Sequence, residues 1–160
     1  MPTRARGLTH VELDAWRSFL RAHAQVTRVL DAELAEECDL PLGSYEVLLH
    51  LNESADRRLR MTDLADRVVL SRSGLTRLVD RLERDGLIRR ESCPSDARGT
   101  NAVLTDEGYQ RLRAAAPVHL RGVREHLLDL LGEDEIAVLA TAFGRIAGPL
   151  PGAGAECGPT

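Results

Sequence analysis

Between Ser71 and Thr105 the sequence passes from a helix to a tight stop, a strand, a charged connection and a second strand, and this succession restricts the fold more than any other feature. Ser71 stands where an N-cap belongs, since its hydroxyl can accept from the free N–H groups of a first helical turn. Leu75, Leu78, Val79 and Leu82 then recur at i, i+3, i+4 and i+7, so one helix face is buried. The opposite face carries Arg72, Ser73, Thr76, Arg77, Asp80, Arg81 and Arg84, whose guanidinium and hydroxyl groups are a dense set of the donors that phosphates and base edges accept from. Gly86 supplies a left-handed C′ position, with Leu87 placed for the apolar contact that accompanies such a cap.

A hairpin follows. Leu87 to Glu91 and Asn101 to Thr105 read as short strands, and Cys93 to Thr100 between them is loop chemistry with Arg98 near its tip, which makes a wing. Upstream, Thr62 is placed to cap a short helix from Asp63 to about Val68, and Val69-Leu70 would join it to Ser71 as a helix-turn-helix. Leu59-Arg60-Met61 would add a third strand.

The net charge of −4 argues against a polyanionic partner until it is located along the chain. Residues 57–98 hold 11 Arg against 7 acids, or +4, whereas residues 1–56 give 5 − 10 = −5 and residues 99–160 give 5 − 8 = −3. The basic part is therefore the winged part. All 21 basic side chains are Arg, a bias that a GC-rich genome explains and that suits phosphate and guanine recognition.

A long helix from about Val11 to Cys38 carries Leu13, Trp16, Leu20, His23/Ala24, Thr27, Leu30 and Leu34 at near-heptad spacing, more apolar length than one small lobe uses. Leu42, Tyr45, Leu48 and Leu49 make the next helix. Thr105 caps a long helix to about Leu131, in which Pro117 predicts a bend near Ala114 to Pro117. A last helix runs from Glu133 to about Ala147 with Ile136, Leu139, Ala140, Phe143 and Ile146 on its apolar side.

The run Asp96-Ala97-Arg98-Gly99-Thr100-Asn101-Ala102-Val103-Leu104-Thr105, continuing Asp106-Glu107-Gly108, has the form D-x-R-x-x-x-x-x-L-T-x-x-G. Together with Leu64-Ala65 and the stretch from Ser71 to Leu82, it resembles the MarR (multiple antibiotic resistance regulator) family of winged-helix repressors over roughly residues 12–147. The resemblance implies a mainly α fold with a small β wing, a winged helix-turn-helix, forming a homodimer through its N- and C-terminal helices. The corresponding division is a flexible arm at 1–10, one domain at 11–147 and a disordered tail at 148–160. Within that domain, 11–38 and 105–147 are the dimerisation helices and 42–104 is the winged helix-turn-helix.

The resemblance also assigns roles in binding double-stranded DNA. Arg72, Ser73, Thr76 and Arg77, with Ser71 at the helix start, would enter the major groove, and Arg81 or Arg84 would meet phosphates. Arg98 would enter the minor groove, with Asp96 as its orienting partner. Asp80 is spaced to pair with Arg84. The function implied is a regulator, a repressor of adjacent genes released by a small aromatic or phenolic effector.

For the effector crevice the candidates are Trp16 and His23, seven apart on the first helix, and His119, on the stripe of Leu112 and Val123. A His on an apolar face is more often a satisfied core residue. His50, spaced i, i+4 from Glu46, would be exposed.

Peroxide-sensing members carry an early helical Cys that this chain lacks, and His119 and His126 are seven apart rather than four, so no metal and no cofactor is expected. Three cysteines without C-x-x-C spacing, and no apolar run of membrane-spanning length, fit a cytoplasmic protein with no membrane partner. Without G-x-S-x-G or a phosphate-binding glycine loop, an enzyme is not expected. The rival reading is an architectural or protein-interaction module of the same fold that answers to no effector.

Overall fold

The computed structural model describes residues 7–68, 72–93 and 96–148. Over them the chain is mainly helical, with one small antiparallel sheet. Helix α1 (His10–Cys38) begins in a capping box: the Thr9 hydroxyl accepts from the Glu12 N–H, and the Glu12 carboxylate accepts from the Thr9 N–H at 2.7 Å. It ends at Asp39, which takes a left-handed φ of 49°. Helix α2 (Leu42–Asn52) starts at Pro41, which has no side-chain donor or acceptor to cap with; Asp31 of α1 supplies the cap, its Oδ1 accepting from the Leu42 N–H at 2.8 Å.

After a 3-10 turn, strand β1 (Arg58–Arg60) leads directly into helix α3 (Met61–Arg67). Thr62 is therefore not the cap it reads as. The cap position is Arg60, which also pairs with Asn101 in the sheet, and the Thr62 hydroxyl turns instead to Asp63 Oδ1 at 3.2 Å. The strand ladder sets where α3 starts, two residues earlier than side-chain capping chemistry implies. Helix α4 (Arg72–Arg84) follows. Ser71, Val69 and Leu70, the expected cap and connection, lie outside the described residues.

Helix α4 stops as its sequence dictates. Gly86 has φ +74°, its N–H donates to Glu83 O at 3.0 Å, and the Leu87 N–H donates to Leu82 O at 2.9 Å. These are the two bonds of a Schellman end, with Leu87 buried over it.

Strands β2 (Ile88–Cys93) and β3 (Asp96–Leu104) are longer than expected, so most of the stretch taken for a loop is strand. The sheet order is β1-β3-β2, all antiparallel. Ser92 pairs with Thr100 and Cys93 with Asp96, which leaves residues 97–99 unopposed in an irregularity of β3. Pairing at Asp96 and Thr100 makes strand of the two sides of the expected loop, and its Pro94 and Ser95 lie outside the described residues.

Helix α5 (Asp106–His126) is capped by Thr105, whose hydroxyl accepts from the Gly108 N–H at 3.0 Å. The helix continues through Pro117 and ends at His126, short of Leu131, because a separate 3-10 turn covers Leu128 to Leu130. Helix α6 (Glu133–Ala147) closes the described chain. No helix among the described residues is long and apolar enough to cross a membrane.

The core gathers Leu34 of α1, Leu48 and Leu51 of α2, Leu64 of α3, Leu75 and Leu82 of α4, and Ile88 of β2, all fully buried. Only the C-terminal end of α1 contributes to it, through Leu30 and Leu34. Trp16, Phe19 and Leu20 are exposed on the first half of α1, and α6 buries no residue at all, with Val138 67% and Ile146 80% exposed. The two uncovered stretches meet where Phe19 lies 5.8 Å from Phe143.

One position in α5 tolerates no side chain. A Cβ at Gly108 would lie 2.0 Å from the Leu87 carbonyl oxygen, which itself accepts from the Thr105 N–H at 3.2 Å. Gly108→Ala is expected to lower stability by about 3 kcal/mol, since backbone rather than a flexible side chain must yield. Thr105→Val should cost about 1–2 kcal/mol through the lost cap. Urea unfolding midpoints measure both, and a Gly108→Ala change within about 0.5 kcal/mol of wild type would contradict the close approach.

Candidate nucleic-acid interface

Helix α4 is divided along its length. Leu75, Leu78, Val79 and Leu82 are in the core, while Ser73, Thr76, Arg77, Asp80, Arg81 and Arg84 lie on the exposed face. Arg72 opens the helix. Strands β2 and β3 follow in sequence, β2 packs next to the helix, and both Asp96 and Arg98 belong to β3, with Arg98 in the unopposed stretch.

The arginines of this segment differ in what they are free to do. Arg81 reaches back to α2, where Nη2 donates to the buried Ser44 hydroxyl at 3.3 Å. Arg84 lies along its own helix, Nε donating to the Asp80 carbonyl at 3.3 Å. Arg77 is exposed and, among the described residues, makes no intramolecular hydrogen bond or ion pair. The expected pairing of the Asp80 carboxylate with Arg84 is replaced by another.

That other partner is Arg90 of β2. Its Nη2 donates to Asp80 Oδ1 at 2.6 Å, its Nη1 to Glu83 Oε2 at 2.5 Å, and its backbone N–H to Glu83 Oε1 at 3.0 Å. Burial opposes the charge on Arg90, but the hydrogen bonds to Asp80 and Glu83 outweigh it and raise the guanidinium above its ordinary value. Arg90 thereby ties the outer face of α4 to the base of the wing. Asp80 and Glu83 at i, i+3 on one helix side, with an Arg just past the Gly86 stop, were a readable signal for this clamp. Further out, Arg89 and Arg58 both meet Glu91, at 2.8 Å and 3.3 Å.

The candidate effector residues fall into two groups. Trp16, Phe19 and His23 follow one another along α1 with ring centroids about 6 Å apart, 6.0 Å and 6.2 Å. His119 packs instead on Tyr45 of α2, at 4.4 Å between ring centroids. Burial lowers the His119 pKa, and its Nδ1 is buried without a hydrogen-bond partner. Between the groups stands Glu46, whose carboxyl is raised by burial and partly drawn back down by the His23 imidazole. His50 is half-buried rather than exposed as expected, and desolvation lowers its pKa. Helical periodicity places His50 opposite the core stripe, but α3 and its Arg67 approach that side.

Comparison with known proteins agrees with this geometry. The model of the MarR family matches residues 39–99. Sco3205, a MarR family transcriptional regulator from Streptomyces coelicolor solved in complex with DNA, is 40% identical with a TM-score of 0.83, covering 96% of this chain and 96% of its own. AbsC, a MarR family transcriptional regulator from the same organism, is 40% identical at a TM-score of 0.79, covering 89% of this chain and 96% of its own. The HTH-type transcriptional repressor YetL of Bacillus subtilis is 32% identical over 108 residues, 66% of this chain and 65% of its own length.

The clamp can be weighed by a double-mutant cycle. Arg90→Met combined with Glu83→Gln is expected to show a coupling of about 1 kcal/mol. The solvent-facing Arg89 and Glu91 pair should stay below about 0.5 kcal/mol. Equal couplings in urea unfolding would remove Arg90 from its positioning role.

Proposed function

The chain belongs to the MarR family of winged helix-turn-helix transcriptional regulators, and from that premise we propose that it binds a pseudo-palindromic operator in double-stranded DNA as a homodimer and represses adjacent genes. The observation that carries this reading is α4: a helix anchored by Leu75, Leu78, Val79 and Leu82 that turns Ser73, Thr76 and Arg77 outward beside the wing. Arg72, Ser73, Thr76 and Arg77, with Ser71, would read base edges in the major groove, where a bidentate guanidinium favours guanine. Arg98 would sit in the minor groove with Asp96 orienting it, and Arg84, and Arg81 after release from Ser44, would meet phosphates.

Two-fold pairing is supported by the uncovered apolar faces of α1 and α6. A dimer built there presents two α4 helices and asks for half-sites about 34 Å apart. Repression is supported by the likeness to a protein named as a repressor, and follows if the operator overlaps a promoter. Effector release would act through the region of Trp16, His23, Glu46, Tyr45 and His119, where rings and perturbed titratable groups gather between α1, α2 and α5. The second reading, a module of the same fold that answers to no effector, is favoured if no small molecule alters DNA affinity.

Arg77→Ala is expected to weaken operator binding by roughly 1–3 kcal/mol and to relax sequence preference at one position of each half-site. Arg98→Ala should weaken binding and lower the steepness of the log K against log salt plot, as counterion release requires of a residue close to phosphates. Mobility-shift titrations over a salt series measure both, and unchanged affinity for both variants would overturn the interface. Phe19→Asp with Phe143→Asp should shift the sedimenting species from dimer to monomer and abolish tight operator binding. A dimer surviving that pair of charges would place the interface elsewhere.

A further inference from the structure

We propose that Glu33, Glu125 and His126 form a binding site for a divalent transition-metal ion of the zinc class, bridging the ends of α1 and α5. It lies apart from α4 and the wing and does not depend on how the chain reads DNA. His126 is the last residue of α5, and its Nε2 stands 2.6 Å from Glu33 Oε1 on α1. Glu125 brings a third ligand atom, so that one imidazole nitrogen and two carboxylate oxygens all lie within 4.8 Å of one another. Sequence spacing hides the group, because its third member comes from a residue 93 positions away.

Three further observations favour a cation here. Glu33 Oε2 is buried and has no hydrogen-bond partner, an arrangement that is unfavourable unless something positive satisfies it. Gly122 makes room for that oxygen, since a Cβ there would lie 2.6 Å from it. The charges do not balance either: Glu33, Glu37 and Glu125 surround Arg121, and three carboxylates against one guanidinium leave a net charge of −2. Arg121 is itself engaged by Glu37, and Arg124 by Asp129. The carbonyls at the C-terminus of α5 add the negative end of a helix dipole.

The donor set selects the class of ion. An imidazole with two carboxylates suits zinc and its neighbours, whereas calcium and magnesium take all-oxygen shells. Three protein ligands leave a fourth position for water. Ligands about 2.0 Å from one ion stand closer together than the present spread, and the exposed Glu125 side chain has the freedom to close the gap. The ion would replace the direct contact of His126 Nε2 with Glu33 Oε1, which opens from 2.6 Å as the Glu33 carboxylate turns to ligate.

The test uses the full chain, stripped with a chelator, in a Cys38→Ser, Cys93→Ser, Cys157→Ser background so that thiolates do not compete. Zinc titrated against a chromophoric chelator should bind once per chain, and cobalt should give visible absorption without thiolate charge-transfer bands. His126→Ala and Glu33→Gln should each weaken zinc by at least about tenfold. Zinc should raise the unfolding temperature of the parent and not that of His126→Ala. Far-UV dichroism confirms that the variants are folded. No stoichiometric zinc in the parent, or parent-like zinc affinity in folded His126→Ala, would overturn the site and reduce the cluster to an ion-pair network.

Discussion

The hydroxyl of Thr105 joins the two parts of this molecule. It donates to the Gly86 carbonyl at 2.7 Å and accepts from the Gly108 N–H at 3.0 Å, so a single oxygen ties the end of α4 to the beginning of α5. The adjoining Leu87 carbonyl accepts from the Thr105 N–H and allows no side chain at position 108. The family's L-T-x-x-G pattern thus has a mechanical content here. Leu104 is buried beneath the junction, Thr105 is a cap serving two helices, and Gly108 is clearance for a carbonyl. The orientation of the outward face of α4 relative to α5 is fixed within a few residues.

Charge in the winged segment is arranged by use rather than by amount. Arg90 is spent on Asp80 and Glu83, Arg81 on Ser44, and Arg89 and Arg58 on Glu91. These pairs hold α4 and the sheet in one piece and neutralise carboxylates that would otherwise repel a polyanion. Arg77 is left outward. The segmental charge of +4 therefore does not by itself say which guanidinium groups face outward, and the geometry of α4 matters more than its formal charge.

The features legible in the sequence are those decided within one or two turns of chain. Leu75, Leu78, Val79 and Leu82 fixed the buried face of α4 by periodicity, Gly86 its end by φ, and Thr105 the start of α5 by capping chemistry. What local sequence does not show is decided by partners distant in sequence. Thr62 failed as a cap because β1 pairing with β3 carries the chain into α3. The stretch at 96–100 reads as loop in isolation and is held in strand by β2 at its two ends, Asp96 on Cys93 and Thr100 on Ser92. His50 is polar by position and half-buried by packing, and the Asp80 carboxylate found Arg90 across the Gly86 turn rather than Arg84 on its own helix. The grouping of Glu33 with His126 depends wholly on how α1 crosses α5.

Helices α1 and α6 then pose a problem of stability that a single chain does not solve. The first half of α1 and the whole of α6 bury no residue, and an isolated helix of such length is marginal in water. Trp16, Phe19, Leu20, Val138, Phe143 and Ile146 remain uncovered, and at about 1.5–3 kcal/mol for each large side chain buried their shared burial amounts to on the order of 10 kcal/mol. That is comparable to the whole net stability of an ordinary domain. In the proposed dimer the folding of these helices and the pairing of chains are consequently one equilibrium. Helix α5 runs from the Thr105 junction along the C-terminal half of α1, where Gly122 allows Leu30 and Glu33 to approach its backbone. In the proposed dimer, the contact of α1 with α5 and the Thr105 junction at the start of α5 lie on one continuous helix, so the spacing of two α4 helices would depend on the same packing that holds the chains together.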